Sequence, residues 1–238
     1  MDSIKIEHKE CNFIAHRGLS GVELENTIQS FTLAGQKSYF GIETDVHVTR
    51  DKKFVIFHDD NTNRLSKINK VIENSNFDEL INIPLNDCNI KKNETYHMPS
   101  LDDYIKIVKK YSKIGVLELK NDMNKSDIES IIKVVKSFEW LNNMIFISFS
   151  KQNIIFLKEI DASLKCQLLV KKIDNSILEF LKKYDVGVDA NYEFIDKKIV
   201  EAIHKIGKEV NCYTVNTVED AKKLISYNVD YITTNILE

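Results

Sequence analysis

The stretch FGIETDVHVTRDKKFVIFHDD, Phe40–Asp60, carries Glu43, Asp45, His47, His58, Asp59 and Asp60 through the most strand-like part of the chain. Uncompensated charge inside a sheet is costly, so such side chains need a chemical reason to be there. Strand alternation puts Glu43 and Asp45 on one face. Glu118 lies near the end of another apolar run, IGVLEL, with Lys120 two residues on and facing the same way. His16 and Arg17 directly follow the run NFIA, and His58 closes the short segment FVIF. Three carboxylates brought to one rim repel one another unless a cation sits among them, and oxygen-only ligands suit Mg²⁺ or Ca²⁺ rather than zinc. The alternative is that these acids pair with Arg17, Lys120 or other bases. Two imidazoles titrating near neutrality can divide proton removal and proton donation. Arg17 and Lys120 would clamp an anionic substrate, for which phosphate is the obvious candidate.

The elements that must position these groups alternate along the chain. Short apolar runs predict strands at Asn12–Ala15, Gly41–Val48, Ile114–Leu119, Met144–Phe149, Cys166–Val170, Val186–Ala190, Val210–Thr214 and Asp230–Thr234. Helical spacing predicts helices at Thr27–Lys37, Leu101–Lys110, Ser126–Phe138, Lys151–Ile160, Asn175–Lys183, Asp196–Ile206 and Val218–Tyr227. Helix starts are signalled at Asn26 or Thr27, at Ser100, and at Thr217 with Asp220 three residues on. Strict alternation implies a parallel sheet, and the length favours an α/β fold of the closed (β/α)₈ TIM-barrel type. In such a barrel, chemistry gathers at the C-terminal ends of the strands. The segment Asn61–Met98, rich in Asn and Lys with one weak helix at NFDELI, reads as a small insertion after the second strand of a single domain spanning 1–238.

Composition narrows the partners. A net charge of −3 with 33 basic and 36 acidic residues argues against nucleic acid, which demands a cationic face. No run approaches the ~18 apolar residues of a membrane span, and the N-terminus has no apolar core of a signal peptide. Cys11, Cys88, Cys166 and Cys212 are scattered without CxxC spacing and read as small buried hydrophobes in a reducing cytoplasm. Nucleophile-elbow, P-loop, dinucleotide and HExxH motifs are absent, and Ser148 and Ser150 read as structural.

The motifs IAHRG (Ile14–Gly18), ENT (Glu25–Thr27), ETDVHVTRD (Glu43–Asp51), IFHDD (Ile56–Asp60), MPSLDD (Met98–Asp103) and LELK (Leu117–Lys120), in this order, closely resemble the glycerophosphodiester phosphodiesterases; YTVNT (Tyr213–Thr217) and VDYITTN (Val229–Asn235) resemble that family's last two strands. The resemblance implies a (β/α)₈ barrel that hydrolyses glycerophosphodiesters, such as glycerophosphocholine or glycerophosphoethanolamine, to sn-glycerol 3-phosphate and an alcohol. It implies a divalent metal ion held by Glu43, Asp45 and Glu118, an acid–base pair His16 and His58, and phosphate contacts from Arg17 and Lys120. Glu25 and Asn26 would belong to a loop beside the metal, and Tyr213 would stand where Trp is common, walling the glycerol carbons. The chain departs from the family pattern at Leu24, where Pro is usual, and at Thr234, Asn235 and Ile236, where an acid and a proline are usual. His47 falls at a variable position and is left out of the catalytic set. The nearest alternative is the sphingomyelinase-type phospholipase D, which shares barrel and histidines; a barrel that only binds is another. The implied partner is a small-molecule substrate, with no nucleic acid and no stable membrane insertion.

Overall fold

The computed structural model describes residues 2–8, 10–86 and 96–238. Its strands are β1 (Asn12–Ala15), β2 (Gly41–Val48), β3 (Phe54–Ile56), β4 (Ile114–Leu119), β5 (Met144–Ser148), β6 (Lys165–Val170), β7 (Gly187–Asn191), β8 (Val210–Tyr213) and β9 (Tyr231–Thr234). Its helices are α1 (Ile28–Gly35), α2 (Phe77–Leu80), α3 (Leu101–Lys110), α4 (Lys125–Ser137), α5 (Lys151–Ile160), α6 (Asn175–Tyr184), α7 (Lys197–Lys205) and α8 (Val218–Ser226). Neighbours run β1-β9-β8-β7-β6-β5-β4-β2, and β1 also pairs with β2, so eight parallel staves close into a TIM barrel. The ninth strand, β3, is antiparallel to β2 and hangs outside this ring as a hairpin.

Local chemistry sets the helix boundaries. Thr27 and Ser100 each form a reciprocal capping box, with Ser30 and Asp103, and the Thr217 hydroxyl accepts from the Asp220 amide. On α4 the buried positions Ile128, Ile131, Ile132 and Val135 recur at helical spacing and face the sheet. Outside the barrel, Phe31 and Tyr104 meet edge to face at 5.2 Å, and the buried Tyr104 hydroxyl donates to the Ile42 carbonyl at 2.6 Å. Inside it, Ile14, Val116, Ile145, Ile147, Leu169 and Tyr231 form a separate apolar plug. A third cluster joins Val55 and Phe57 beside β3 to Leu65, Ile72, Leu80 and Tyr96 of the following segment. Leu24 packs into it, so the loop residue that replaces proline has an apolar contact of its own.

The segment expected as an insertion directly after the second strand is thus preceded by the β2–β3 hairpin, and α2 is its short helix. Its residues 87–95, Cys88 among them, lie outside the described residues. Cys11, Cys166 and Cys212 are buried free thiols. Among the described residues no helix is long and apolar enough to cross a membrane.

The turn leaving β1 is tight. Arg17 has φ 55° and Gly18 φ +76°, and a Cβ built on Gly18 would stand 2.5 Å from the Ser30 hydroxyl and 2.6 Å from the Ser30 carbonyl carbon. Gly18→Ala is expected to cost about 1–3 kcal/mol of stability, read as a lower urea midpoint at unchanged slope. A midpoint equal to wild type would show that the turn tolerates a side chain.

Candidate active site

All three carboxylates picked out by spacing stand at the C-terminal rim. Their ligand-capable oxygens on Glu43, Asp45 and Glu118 lie within 4.8 Å of one another, and all three residues are buried. Strand register explains the meeting: Asp45 on β2 sits directly opposite Glu118 on β4. Counter-charges arrive from the turns beyond the strands. Lys120 Nζ lies 2.9 Å from Glu118 Oε1 and 3.3 Å from Asp45 Oδ1; Arg17 Nε lies 3.6 Å from Asp45 Oδ2. The left-handed turn at Arg17 aims its backbone N–H at Glu43 Oε2, 2.8 Å away. Asn26, itself at φ 54°, donates to Asp45 Oδ2 at 2.8 Å and accepts from the Thr44 hydroxyl at 2.8 Å.

The acids divide electrostatically. Burial pushes the Asp45 carboxyl up, but Lys120 and Arg17 together outweigh it and hold it well below the usual range. Burial, then repulsion from Asp45, drives Glu43 well above that range. The same two causes push Glu118 up to about 7 against the pull of Lys120. Asp45 Oδ1 has no hydrogen-bond partner, only the ion contact with Lys120. A hard oxygen-only donor set with mutually repelling members and a spare lone pair fits a divalent cation.

His16 and His58 line one cavity of about 200 Å³, together with Arg17, Glu43, Glu118 and Tyr213. Their Nδ1 atoms are both taken. His16 Nδ1 lies 2.7 Å from the Asn235 side-chain oxygen, which only accepts, so Nδ1 carries the proton and Nε2 is left free. His58 Nδ1 lies 2.6 Å from Asp59 Oδ1, which fixes the same tautomer. Burial, then Arg17, lowers the His16 pKa to about 4; burial also lowers that of His58, against the opposing pull of Asp45. Tyr213 stands at the cavity wall with its hydroxyl donating to the Val170 carbonyl at 3.0 Å, edge-on to the half-exposed Phe149 at 6.1 Å. Lys120 points from the triad into an adjoining cavity of about 490 Å³ that shares Glu118 and Phe149. Ser148 and Ser150 make structural contacts, to the Leu119 carbonyl and to the Asn153 amide at the start of α5. His47 is buried away from the cavity, bonded to Glu73 at 3.1 Å.

Several residues that touch the site have no role in the sequence-based expectation. Arg64 reaches in from the segment after β3 and forks onto two carboxylates. It bonds Glu25 at 2.9 and 2.7 Å, and Asp59 at 2.7 and 3.1 Å. Glu25 in turn holds the Arg17 guanidinium at 2.9 Å, and Asp59 holds His58. No local signal betrays Arg64, because its partners lie 39 and 5 residues away. Asn235, one of the three residues of the last loop expected to depart from the family pattern, is what orients His16. Asp189, buried on β7, also lines the cavity. It carries the signal that singles out Glu43, a carboxylate in an apolar strand.

Fold and rim chemistry together define a (β/α)₈-barrel hydrolase suited to an anionic ester. The chain belongs to the glycerophosphoryl diester phosphodiesterase family, whose model matches residues 16–238. It is 26% identical over 231 residues to a glycerophosphodiester phosphodiesterase of Caldanaerobacter subterraneus, covering 93% of each chain. It is similar, with a TM-score of 0.85 and 26% identity over 94% of this chain and 92% of the other, to an Oleispira antarctica phosphodiesterase solved in complex with the product sn-glycerol-3-phosphate. A glycerophosphodiester phosphodiesterase of Agrobacterium tumefaciens shares the fold with a TM-score of 0.79 at 18% identity, over 95% of this chain and 96% of its own.

The Arg64 fork makes a pH-dependent contribution to stability. Burial raises Glu25 and Asp59, but hydrogen bonds from Arg64 help to bring both below their ordinary values of 4.5 and 3.8. Carboxylates with depressed pKa values stabilise the fold above those ordinary values and stop doing so as pH falls through the depressed ones. Arg64→Ala is therefore expected to lose on the order of 1 kcal/mol at pH 7, the fork being half-exposed. That deficit should narrow towards pH 3 in urea unfolding. A deficit independent of pH would assign the loss to packing instead.

Proposed function

We propose that this chain hydrolyses glycerophosphodiesters, with glycerophosphocholine and glycerophosphoethanolamine as representative substrates, to sn-glycerol 3-phosphate and the free alcohol. One observation carries the reading: two imidazoles with their Nε2 atoms free share a small cavity with the edge of a three-carboxylate cluster. Glu43, Asp45 and Glu118 would hold Mg²⁺ or Ca²⁺, which when bound supplies charge neutralisation at the phosphate and acidifies an attacking hydroxyl.

The protein's own groups carry the proton traffic. His16 is buried beside Arg17 and bonded to a neutral amide, so it stays unprotonated at pH 7 and accepts a proton at Nε2. Burial lowers the His58 pKa against the pull of Asp45 and of the Asp59 carboxylate at its Nδ1. In this reading it is the fraction of the ring that carries a second proton that donates from Nε2 to the departing alcohol oxygen. In one route the attacking hydroxyl is the glycerol 2-OH, which gives a cyclic phosphate that water then opens, with the two rings exchanging roles. Arg17, held by Glu25, faces the cavity and binds a phosphate oxygen. Lys120 offsets the negative potential of Asp45 and Glu118, and its position on the adjoining cavity supports assigning it a contact to the phosphate. Tyr213 covers the glycerol carbons. Asn26 keeps Asp45 turned towards its two partner acids.

We read residues 1–238 as a single barrel domain, with the segment 61–98 as an insertion that influences the choice of head group. Free buried thiols at Cys11, Cys166 and Cys212 support a reducing, cytoplasmic setting.

The decisive measurement is release of sn-glycerol 3-phosphate from glycerophosphocholine, with and without a chelator. Chelation is expected to abolish it and Mg²⁺ or Ca²⁺ to restore it. His16→Ala and His58→Ala are each expected to lose about 10²–10⁴ in rate with the fold intact. Near wild-type rates for either variant reject the assignment. A second measurement tests which ring is the base. Asn235→Asp places a carboxylate at the His16 Nδ1–H, which raises the pKa of a ring now lowered to about 4. A base must be unprotonated, so the acid limb of kcat/KM should move to higher pH. An unmoved limb removes His16 from the role of base.

A further inference from the structure

Asp189 faces into the barrel from β7, its backbone in register with Leu169 on β6 and Asn211 on β8. It is 1% exposed, its Oδ1 has no hydrogen-bond partner, and it lines the same cavity as His16, His58 and Tyr213. Branched apolar side chains ordinarily fill such interior positions. Leu169 on the adjacent β6 and Ile147 on β5 do so here. A carboxyl in their company destabilises the fold unless something bonds to it.

Among the described residues none supplies that partner to Oδ1. Asn211 is engaged by Gln167 at 3.4 Å and by Thr233 at 3.1 Å, and the Tyr213 hydroxyl is turned to Val170. Arg17 and Lys120 are committed to Glu25, Asp45 and Glu118. Burial, then the nearby Glu118, raises the Asp189 pKa well above the carboxylate range, which favours a neutral acid able both to donate and to accept. The cavity lining is amphipathic, combining the apolar Ile147, Phe149 and Leu169 with the polar Asp189 and Thr233. That combination suits a short polyol, carbons against the apolar wall and a hydroxyl against the acid. The cavity holds about 200 Å³, whereas the adjoining one holds about 490 Å³ and is lined by Lys120, Asn121 and Ser150. The small cavity suits the constant part of a substrate series, and the larger one its variable alcohol.

We propose that Asp189 is a specificity-determining residue that hydrogen-bonds the terminal hydroxyl of the glycerol moiety, selecting phosphodiesters with a polyol on the retained side. This rests on the reading that the substrate is a glycerophosphodiester. The hydroxyl beside the ester remains free to attack, so recognition and chemistry use different oxygens of the same three-carbon unit.

The test compares glycerophosphocholine with its propane-1,2-diol analogue, which keeps the hydroxyl beside the ester and lacks the terminal one. Wild type is expected to prefer the former by about 10- to 100-fold in kcat/KM. Asp189→Leu is expected to lose that preference by falling to the analogue's level on glycerophosphocholine while leaving the analogue's own rate unchanged. Its melting temperature should equal or exceed that of wild type, because an apolar side chain replaces an unpartnered acid. Equal loss on both substrates by a folded variant overturns the proposal and makes Asp189 structural. Asp189→Ala, which adds no bulk, is read in the same way should the leucine variant not fold. Calorimetric binding of sn-glycerol 3-phosphate against inorganic phosphate separates the two possible failures. Absent turnover in wild type rejects the functional reading. Loss of the glycerol 3-phosphate preference in Asp189→Leu still upholds the subsite there, and an unchanged preference sinks it.

Discussion

Everything at the rim follows from the forced proximity of three carboxylates. Glu43, Asp45 and Glu118 are buried within 4.8 Å of one another, an arrangement no side-chain packing would favour. Parallel register brings the acids together, and the turns beyond β1 and β4 bring Arg17 and Lys120 to offset part of the repulsion. The offset is unequal. Asp45 receives both cations and stays ionised, while Glu43 and Glu118 are left partly uncompensated. The residual strain is a standing demand for positive charge, and the rest of the barrel is rigid enough to sustain it. Apolar layers inside and outside the staves resist the relaxation that would let the acids turn apart.

The two imidazoles are held by different means. His16 leaves a barrel strand and is oriented by Asn235, just past β9 on the neighbouring stave. His58 follows β3, which is no stave at all, and is oriented by Asp59 under the grip of Arg64. A neutral amide behind one ring and a carboxylate behind the other make chemically unlike partners out of identical side chains. Asn235 in the atypical last loop is thus a feature of the site, since its amide accepts from Nδ1 but adds no charge that would keep His16 protonated.

Much of the fold is legible in the sequence because strong local signals agree with the tertiary structure. Helices α3 and α5 begin and end where apolar spacing places them. Strands β1, β2 and β4 match their expected limits outright, and the remaining staves depart by at most one residue at either end. The convergence of Glu43, Asp45 and Glu118 is legible on different grounds: a carboxylate inside an apolar strand is too costly to persist unless a cation or a bonding partner meets it. Strand β3 is visible only as the run FVIF, too short to show a period, and its pairing with β2 depends on a turn. Arg64 is not legible, since its effect arises from contacts with Glu25 and Asp59, 39 and 5 residues away, that only the folded loop brings together. Asp189 satisfies the criterion applied to Glu43, but no second acid neighbours it in sequence to draw notice.

The hairpin origin of His58 carries a consequence for how such a protein can diverge. One imidazole, that of His16, is anchored in the closed ring of staves, where a shift of any strand disturbs all the others. The other is mounted on an appendage with its own small hydrophobic cluster, tied to the ring through β2 and the Arg64 fork. The gap between the two imidazoles is adjustable by drift in the appendage alone, without disturbing the closed barrel.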